Sequence, residues 1–255
     1  MEISTIGVVG SGQMGNGIAQ VAACSGFQVI MVDIEQSYLE RGMNAIRDSL
    51  ERLVRKDRMT GEQSTEAMSL ISTGIGLANL SDCDLVIEAI PEIPELKFST
   101  FSELDSTCKS DAILASNTSS ISISEFASHT SRPERVIGMH FMNPVPIMKL
   151  IEVINGPDTS SEVTSAVLSA SERMGKTPLT CMDSPGFVSN RILCPMINEA
   201  ILTLEEGVAE PAAIDGIMKL GMNHPIGPLA LADLIGLDTV LHIMGVLYEG
   251  FMDEK

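Results

Sequence analysis

A glycine-rich turn between two apolar segments constrains this sequence more than any other feature. Residues 3–9 have the composition of a buried strand, and they run directly into Gly10-Ser11-Gly12-Gln13-Met14-Gly15. A helical pattern follows as far as Gly26, and a second apolar segment at 29–32 ends in Asp33. Strand, GxGxxG, helix, strand and acid in this order predict a dinucleotide-binding turn, whereas the glycine pattern alone would be weak support.

Each glycine of this turn has a distinct predicted task. Gly10 allows the tight turn, Gly12 allows the backbone to approach a pyrophosphate, and Gly15 allows the helix to pack close to the sheet. The helix amino terminus offers N–H groups and a positive dipole to the phosphates, so Gln13 and Met14 also belong to the predicted cofactor-binding set. A glycine-rich turn that holds no nucleotide is the alternative.

Asp33 is the predicted partner of the ribose hydroxyls because it ends the second strand. No arginine follows it at positions 34–36, so a 2′-phosphate would meet a negative charge that nothing nearby offsets. The sequence therefore predicts NAD, and not NADP, as the cofactor.

The order of strand and helix patterns predicts the fold class. The two patterns alternate up to Asp183, which indicates an α/β, Rossmann-type doubly wound sheet rich in parallel strands. After Asp183-Ser184-Pro185-Gly186 the strand signals stop, and four helical patterns follow with Pro and Gly between them. We expect an NAD-binding domain over 1–183 and a smaller all-helical C-terminal domain over 184–255.

Charge and cysteine usage narrow the function classes. The formal net charge is −18, which argues against a nonspecific nucleic-acid surface. The five cysteines form no CxxC pair, so we expect reduced thiols and no metal site. No apolar segment has the length of a bilayer and no basic leader precedes the first strand, so we expect an intracellular, most simply cytoplasmic, protein without a membrane anchor.

A histidine and a glutamate stand out in two neighbouring apolar segments. The segment from Val136 has the pattern of a buried strand that ends in His140 and then turns at Asn143-Pro144, and the segment 150–154 contains a single carboxylate, Glu152. A carboxylate inside such a run is costly to bury unless a polar group meets it, and the histidine is a suitable partner. We predict that His140 is a general base that Glu152 orients. A structural histidine and an edge-strand glutamate are the alternative.

Polar residues follow the ends of two further predicted strands. Glu92 and Lys97 flank the carboxyl end of the strand at 84–90, and Asn117-Thr118-Ser119-Ser120 follows the strand at 112–116. Ligands of open α/β sheets bind at this edge, which makes these residues candidate contacts. A Ser/Thr-rich surface loop has the same composition.

Two more features are ambiguous by position. Basic residues cluster in the helical pattern at 35–58, which includes Lys56 and could meet a phosphorylated ligand such as coenzyme A. A solvated helix face has the same appearance. Asn190, in the first turns of the first C-terminal helix, is either a hydrogen-bonding group in a cleft between domains or a surface residue.

Taken together, the chain resembles the 3-hydroxyacyl-CoA dehydrogenases, including the short-chain 3-hydroxybutyryl-CoA dehydrogenases. The resemblance extends over nearly the whole chain, and its specific runs are Gly10-Ser-Gly-Gln-Met-Gly-Asn-Gly-Ile-Ala-Gln20, Ala115-Ser-Asn-Thr-Ser-Ser120, Gly138-Met-His-Phe-Met-Asn-Pro144, Met148-Lys-Leu-Ile-Glu152, Ser184-Pro-Gly-Phe-Val-Ser-Asn-Arg191, His224-Pro-Ile-Gly-Pro228 and Leu231-Ala-Asp-Leu-Ile-Gly-Leu-Asp238. Agreement at so many separate runs is far more specific than any single motif.

The resemblance implies a reaction and a set of site residues. It implies NAD-dependent oxidation of a (3S)-3-hydroxyacyl-CoA to the 3-oxoacyl-CoA, or the reverse, by a homodimer that associates through the helical domain. The family's catalytic histidine and glutamate fall on His140 and Glu152, and its active-site serine and asparagine fall on Ser119 and Asn190. The implied NAD contacts are Asp33, Glu92, Lys97, Asn117 and Asn143, and a coenzyme A contact falls on Lys56.

Two other functions are possible for a chain of this layout, and the sequence differs from the family in one respect. A β-hydroxyacid dehydrogenase of the same layout would act on free acids through a lysine of its helical domain, where Lys219 is the one candidate between Lys176 and Lys255. An NAD-binding protein without activity could also keep the fold. The family usually continues beyond the position of Lys255, so we expect the C-terminal domain to be shortened and its dimer to be affected.

Overall fold

The computed structural model describes residues 2–252, which divide into two compact units between Asp183 and Ser184. The first unit contains all eight strands of the described chain. In chain order they are β1 (Thr5–Val9), β2 (Gln28–Asp33), β3 (Ile71–Ile75), β4 (Leu85–Glu88), β5 (Ile113–Ser116), β6 (Val136–Phe141), β7 (Leu150–Asn155) and β8 (Thr177–Met182).

The eight strands form one sheet with the order β3-β2-β1-β4-β5-β6-β7-β8. Every neighbouring pair is parallel except β6 and β7, which are antiparallel. The order reverses between β1 and β4, and in doubly wound sheets a ligand crevice opens at such a point. The predicted fold class, a Rossmann-type sheet followed by a helical C-terminal part, is confirmed.

The strand β3 was not predicted from the sequence. It lies at the edge of the sheet beside β2, and the strand predicted at 84–90 is the fourth in chain order. Only its first residue, Ile71, is buried, and Ser72 and Thr73 are exposed. An edge strand that buries so little has no continuous apolar run, which is the signal that identified the central strands.

Six helices flank the sheet of the first unit. They are α1 (Gln13–Cys24), α2 (Gln36–Arg55), α3 (Gly61–Ser69), α4 (Pro94–Thr107), α5 (Ile123–Ser128) and α6 (Ser161–Arg173). The predicted single helix at 35–58 is therefore α2 alone, and Thr60 begins α3 through a capping box with Gln63. Proline at the first position of α4 fits a helix start, where its missing N–H costs no hydrogen bond.

The second unit contains four helices and no strand within the described residues. They are α7 (Ser189–Glu205), α8 (Pro211–Gly221), α9 (Pro228–Ile235) and α10 (Leu237–Phe251). Asp215 of α8 fixes the start of α9, since its carboxylate accepts hydrogen bonds from the N–H groups of Leu229 and Ala230 at 2.8 and 3.0 Å.

The helices of the second unit leave large apolar side chains on its surface. Leu220 and Leu241 are 91% and 74% exposed. Between residues 2 and 252 no single helix is long and apolar enough to cross a bilayer, although α9 and α10 reach that length and composition together across a bend of 98°.

Candidate active site

The glycine-rich turn between β1 and α1 has the geometry that its sequence predicts. Gly10 has a φ of +96°, a conformation that side chains disfavour. A Cβ atom on Gly15 would lie 1.8 Å from the carbonyl oxygen of Gly10, so only glycine allows this approach of helix and turn. At Gly12, by contrast, a Cβ would meet no atom within 4 Å.

The start of α1 can bind an anion. Its N-cap residue, Gly12, supplies no side-chain hydrogen bond, and no acidic residue lies in its first turn. The first N–H groups of a helix have no partner within the helix, and the helix dipole adds a partial positive charge there. The open space beside Gly12 gives a phosphate direct access to these groups.

A cavity of about 1120 Å³ lies over this turn in the first unit. Gly10, Gly12, Gln13, Met14 and Asp33 line it, and the α2 residues Tyr38 and Arg41 extend its wall. This volume exceeds the roughly 300–1,000 Å³ of ordinary small-molecule pockets. Size, anion-binding turn and terminal carboxylate together fit a dinucleotide.

Asp33 is fixed in place before any ligand binds. Its Oδ2 atom accepts hydrogen bonds from the backbone N–H and the hydroxyl of Ser11, at 2.8 and 2.6 Å, and Oδ1 accepts one from the N–H of Ile34 at 2.8 Å. Gly42 of α2 packs on the other side of Ser11, because a Cβ at Gly42 would lie 2.8 Å from the Ser11 carbonyl oxygen.

His140 and Glu152 face each other across the antiparallel pair β6 and β7. They are direct partners in the strand register, and Nδ1 of His140 lies 2.9 Å from Oε2 of Glu152. Both residues are buried, with 8% and 4% exposure. An ionised carboxylate only accepts hydrogen bonds, so Glu152 favours the tautomer that carries hydrogen on Nδ1 and leaves Nε2 as the acceptor.

A buried network of charges lies at the carboxyl ends of β4 and β5. Lys97 on α4 contacts Glu88, the last residue of β4, at 2.6 Å and Glu92 at 3.0 Å. Glu92 also accepts hydrogen bonds from the hydroxyl of Thr118 at 2.5 Å and the N–H of Ser119 at 3.0 Å. Burial alone would raise the pKa of Glu92, but the Lys97 ammonium and these hydrogen bonds hold the pKa below its ordinary value.

Two asparagines connect the strand ends to one another. Oδ1 of Asn117 accepts a hydrogen bond from the N–H of Phe141, the residue after His140, at 2.9 Å. Oδ1 of Asn143 accepts one from the side chain of Gln13 at 3.1 Å. The first bond connects the segment after β5 to the end of β6, and the second connects the dinucleotide turn to the loop after β6. All of these segments carry predicted site residues.

The loop that follows β6 is held from a third side. The ammonium of Lys176 donates to the backbone carbonyl oxygens of Val145 and Met148. Val145 in turn packs against Gly17 of α1, where a Cβ would lie 2.8 Å from the Val145 Cβ. The helix that begins at the dinucleotide turn thus also supports the loop that contains Asn143.

Comparisons with known proteins agree with this geometry. A family model described as the 3-hydroxyacyl-CoA dehydrogenase NAD binding domain matches residues 5–184, and the model of the C-terminal domain of the same family matches residues 186–255.

The chain belongs to the 3-hydroxyacyl-CoA dehydrogenase family.

Relatives of high identity cover almost the whole of this 3-hydroxyacyl-CoA dehydrogenase. A probable 3-hydroxybutyryl-CoA dehydrogenase of Deinococcus radiodurans is 56% identical over 98% of this chain and 89% of its own length. The 3-hydroxybutyryl-CoA dehydrogenase of Bradyrhizobium diazoefficiens is 52% identical, over 99% and 86%. The crystal structure of (S)-3-hydroxybutyryl-CoA dehydrogenase from Ralstonia eutropha superposes with a TM-score of 0.97 at 50% identity, over 99% and 89%.

Membership of the family confirms the predicted enzyme class and cofactor. The chain is an NAD-dependent oxidoreductase that acts on 3-hydroxyacyl-CoA. The rival interpretation of an NAD-binding protein without activity loses its basis, because the whole chain and not only its nucleotide-binding half matches an enzyme family.

The structure groups most, but not all, of the predicted site residues. Gly10, Gly12, Gln13, Met14 and Asp33 share one cavity, and His140 pairs with Glu152. Lys56 is exposed at the end of α2. Asn190 lies in the first turn of α7, in the second unit, so its contribution stays a prediction.

Lys97 is less exposed than a residue that contacts a ligand directly is expected to be. The sequence suggests that it flanks the ligand edge of the sheet, yet the residue is only 1% exposed. Its ammonium is held between two carboxylates. A direct bond from Lys97 to NAD stays a prediction, and its bonds to Glu88 and Glu92 are the contacts that the structure shows.

Two site residues, Ser11 and Glu88, were missed by the sequence reasoning. Glu88 is the single carboxylate in the apolar run 85–88, the same signal that identified Glu152, and it could have been found in that way. Ser11 occupies a variable position of the GxGxxG pattern, which gives no signal. Within the described residues no cluster of three or more His, Cys, Asp or Glu could hold a metal ion.

Proposed function

We propose that this enzyme interconverts (3S)-3-hydroxybutyryl-CoA and acetoacetyl-CoA with NAD, and that His140 is its general base. The short acyl chain is supported by the names of its relatives at 50–56% identity, several of which are 3-hydroxybutyryl-CoA dehydrogenases. The observation that carries the assignment of the base is the buried 2.9 Å pair of His140 and Glu152.

The pairing with Glu152 determines what His140 can do. Because Glu152 accepts the hydrogen on Nδ1, Nε2 is the nitrogen that takes up a proton. In the oxidative direction Nε2 removes the proton of the 3-hydroxyl group. The buried carboxylate of Glu152 keeps the ring in orientation and stabilises the imidazolium that forms, as the carboxylate does in other acid–histidine pairs.

The rest of the site binds and orients. A bound NAD would supply the acceptor for the hydride of the substrate C3. Ser119 and Asn190 hold the oxygen atoms of the substrate, while Asp33 binds the adenosine ribose and the turn from Gly10 to Gly15 binds the pyrophosphate. In the reductive direction the protonated His140 returns its proton to the forming alkoxide.

One spectrophotometric experiment tests the reaction, the cofactor and the histidine–glutamate pair together. Oxidation of NADH or NADPH is followed by absorbance with acetoacetyl-CoA as the substrate, on wild type and Glu152→Gln. We expect rapid oxidation of NADH, much slower oxidation of NADPH, and a large loss of kcat in the variant. Turnover of free acetoacetate at a rate comparable to that of the thioester would instead support the rival β-hydroxyacid dehydrogenase.

Three further properties complete the proposal. Lys56 contributes to the binding of coenzyme A from the basic, exposed end of α2. The enzyme acts in the cytoplasm as a homodimer. The exposed apolar side chains of α8 and α10 form the interface between its two subunits. Sedimentation of the enzyme as a single species of twice the chain mass would support the dimer, and a monomer with full activity would contradict it.

A further inference from the structure

The ion network at the ends of β4 and β5 contains an ion pair that is almost fully buried. Glu88 and Lys97 have side chains that are 0% and 1% exposed, and their charged atoms are 2.6 Å apart. Glu92 adds a second carboxylate 3.0 Å from the same ammonium, with 28% of its side chain exposed. The three groups therefore carry two negative charges and one positive charge.

Stability alone does not account for this arrangement. Removing charged groups from water is costly, and well-packed apolar residues often replace a buried ion pair without loss of stability. Polar networks of this kind fix one arrangement of the elements that they connect. The contacts of the two carboxylates identify which segment is held.

Both carboxylates bind the segment 116–120, which begins at the last residue of β5. Glu88 accepts a hydrogen bond from the hydroxyl of Ser116 at 2.6 Å, and that hydroxyl also accepts one from the N–H of Thr118 at 3.1 Å. Glu92 accepts hydrogen bonds from the hydroxyl of Thr118 and from the N–H of Ser119, at 2.5 and 3.0 Å. The backbone N–H groups of Thr118 and Ser119 are thus both held within this network.

Glu88 links a helix and a strand of the first unit. Its carboxylate binds Lys97 on α4 and Ser116 at the end of β5, and it accepts the N–H of Ile90 at 2.7 Å. It therefore fixes the ammonium that in turn holds Glu92. Loss of its charge would weaken the bonds to Lys97 and Ser116 at once, and would leave Glu92 as the carboxylate that still pairs with Lys97.

We propose that Glu88 is a positioning residue that sets the location of Ser119 through Ser116 and through Lys97 and Glu92. This inference deepens the proposed function, since it rests on the role of Ser119 in holding the substrate. Glu88 itself takes no part in the proton transfer, and its effect on catalysis passes through the segment 116–120.

A double-mutant cycle between Glu88→Gln and Ser119→Ala tests this coupling in the full-length enzyme. We expect Glu88→Gln to lower kcat/KM for acetoacetyl-CoA by between about tenfold and a hundredfold, as small displacements of an orienting group do. In the Ser119→Ala background the same change should cost less than about twofold, because the group that Glu88 positions is already gone. Equal losses in both backgrounds would overturn the proposal.

A matched control separates positioning from general loss of stability. Asp105 forms an ion pair with Arg132 at 2.6 Å, with side chains that are 15% and 11% exposed, and its carboxylate binds Ser131 and Arg132 but none of the proposed site residues. Asp105→Asn should lower the melting temperature without any coupling to Ser119. If Asp105→Asn shows the same coupling as Glu88→Gln, the effect is one of stability and the proposal fails.

Amide hydrogen exchange of the cofactor-free protein provides a readout that does not depend on activity. Glu88→Gln should speed exchange at Thr118 and Ser119, whose N–H groups bind within this network, whereas Asp105→Asn should not. Unchanged exchange at these two amides would overturn the proposal. If Glu88→Gln does not fold, Ser116→Ala removes one of its two links and should show the same acceleration.

The two proposals fail in different ways. Near-normal turnover of Ser119→Ala alone would remove the proposed role of Ser119 in catalysis. The exchange measurement would then still decide whether Glu88 positions the segment 116–120.

Discussion

Ser11 donates two hydrogen bonds to one oxygen atom of Asp33, from its backbone N–H at 2.8 Å and from its hydroxyl at 2.6 Å. The N–H of Ile34 binds the other oxygen. A carboxylate offers about four acceptor sites, so these bonds leave about one for a ribose hydroxyl. Asp33 therefore presents a carboxylate in a single fixed orientation.

The substitution Ser11→Ala should weaken the binding of NAD. It removes the hydroxyl bond to Asp33 but keeps the backbone bond, so the carboxylate can rotate away from the ribose. We expect the Kd for NADH, measured by fluorescence titration, to rise by about tenfold, because a hydrogen bond to a charged group is at stake. Ser25→Ala, which removes only a hydroxyl bond to the carbonyl of Val21, is the control and should bind normally. An unaltered Kd in Ser11→Ala would show that the backbone bond suffices.

Two glycines of the dinucleotide turn should respond differently to alanine. A Cβ at Gly15 would collide with the Gly10 carbonyl, so Gly15→Ala should lower the melting temperature markedly. At Gly12 the added methyl group meets no protein atom, so Gly12→Ala should keep the wild-type melting temperature but bind NADH poorly, because the methyl group occupies the approach of the phosphates. Calorimetry and titration of both variants check this, and normal NADH affinity in Gly12→Ala would contradict it.

The substitution His140→Ala should remove the general base. We expect kcat to fall by a factor on the order of 10² to 10⁴, with NADH affinity nearly unchanged. Steady-state kinetics with acetoacetyl-CoA measure the loss, and His129→Ala, at an exposed ring stacked on Phe98, serves as the control. Near-normal turnover of His140→Ala would exclude His140 as the base.

Asp84 should make the fold sensitive to acid. Burial alone would raise its pKa, but hydrogen bonds from Lys109, Ser4 and Thr5 more than offset this and lower the pKa to about 2. A carboxylate whose pKa falls on folding stabilises the native state above its unfolded pKa of about 4, and this stabilisation disappears as the pH falls from about 4 towards 2.

Replacing Asp84 by asparagine should therefore change both stability and its pH dependence. We expect Asp84→Asn to lower the free energy of unfolding at neutral pH by about 1 kcal/mol, after allowance for solvent screening. The difference from wild type should shrink between pH 4 and pH 2. Urea unfolding at several pH values measures both effects, with the exposed Asp82→Asn as the control. A difference that is constant with pH would contradict the ionic origin.

The sequence predicted what depends on continuous local patterns. The central strands are unbroken apolar runs, and the dinucleotide turn is a fixed spacing of glycines after one of them. His140 and Glu152 are conspicuous because each is a single polar residue next to or within such a run. The edge strand β3 and the bond from Ser11 to Asp33 have no such pattern. Their existence depends on neighbours that are distant in the chain, as the 22-residue separation of Ser11 and Asp33 illustrates.

Lys97 shows a second limit of reasoning from the sequence. Its position after a strand at the ligand edge is correct, but sequence position does not determine the direction of a side chain. The ammonium turns inward because Glu88 and Glu92 both lie within reach of it. An ammonium held by two carboxylates can be recognised only when β4, α4 and the loop between them are seen together.

The cross-strand location of His140 and Glu152 also bears on how such a site could be transferred. The two residues are only twelve positions apart and belong to one antiparallel hairpin, so a single contiguous segment encodes both the imidazole and the group that fixes its tautomer. A protein engineer could graft this segment onto another parallel sheet as one insertion. The dinucleotide turn could not be transferred as one short segment in the same way. Its function also depends on Asp33 and α2, which lie further along the chain.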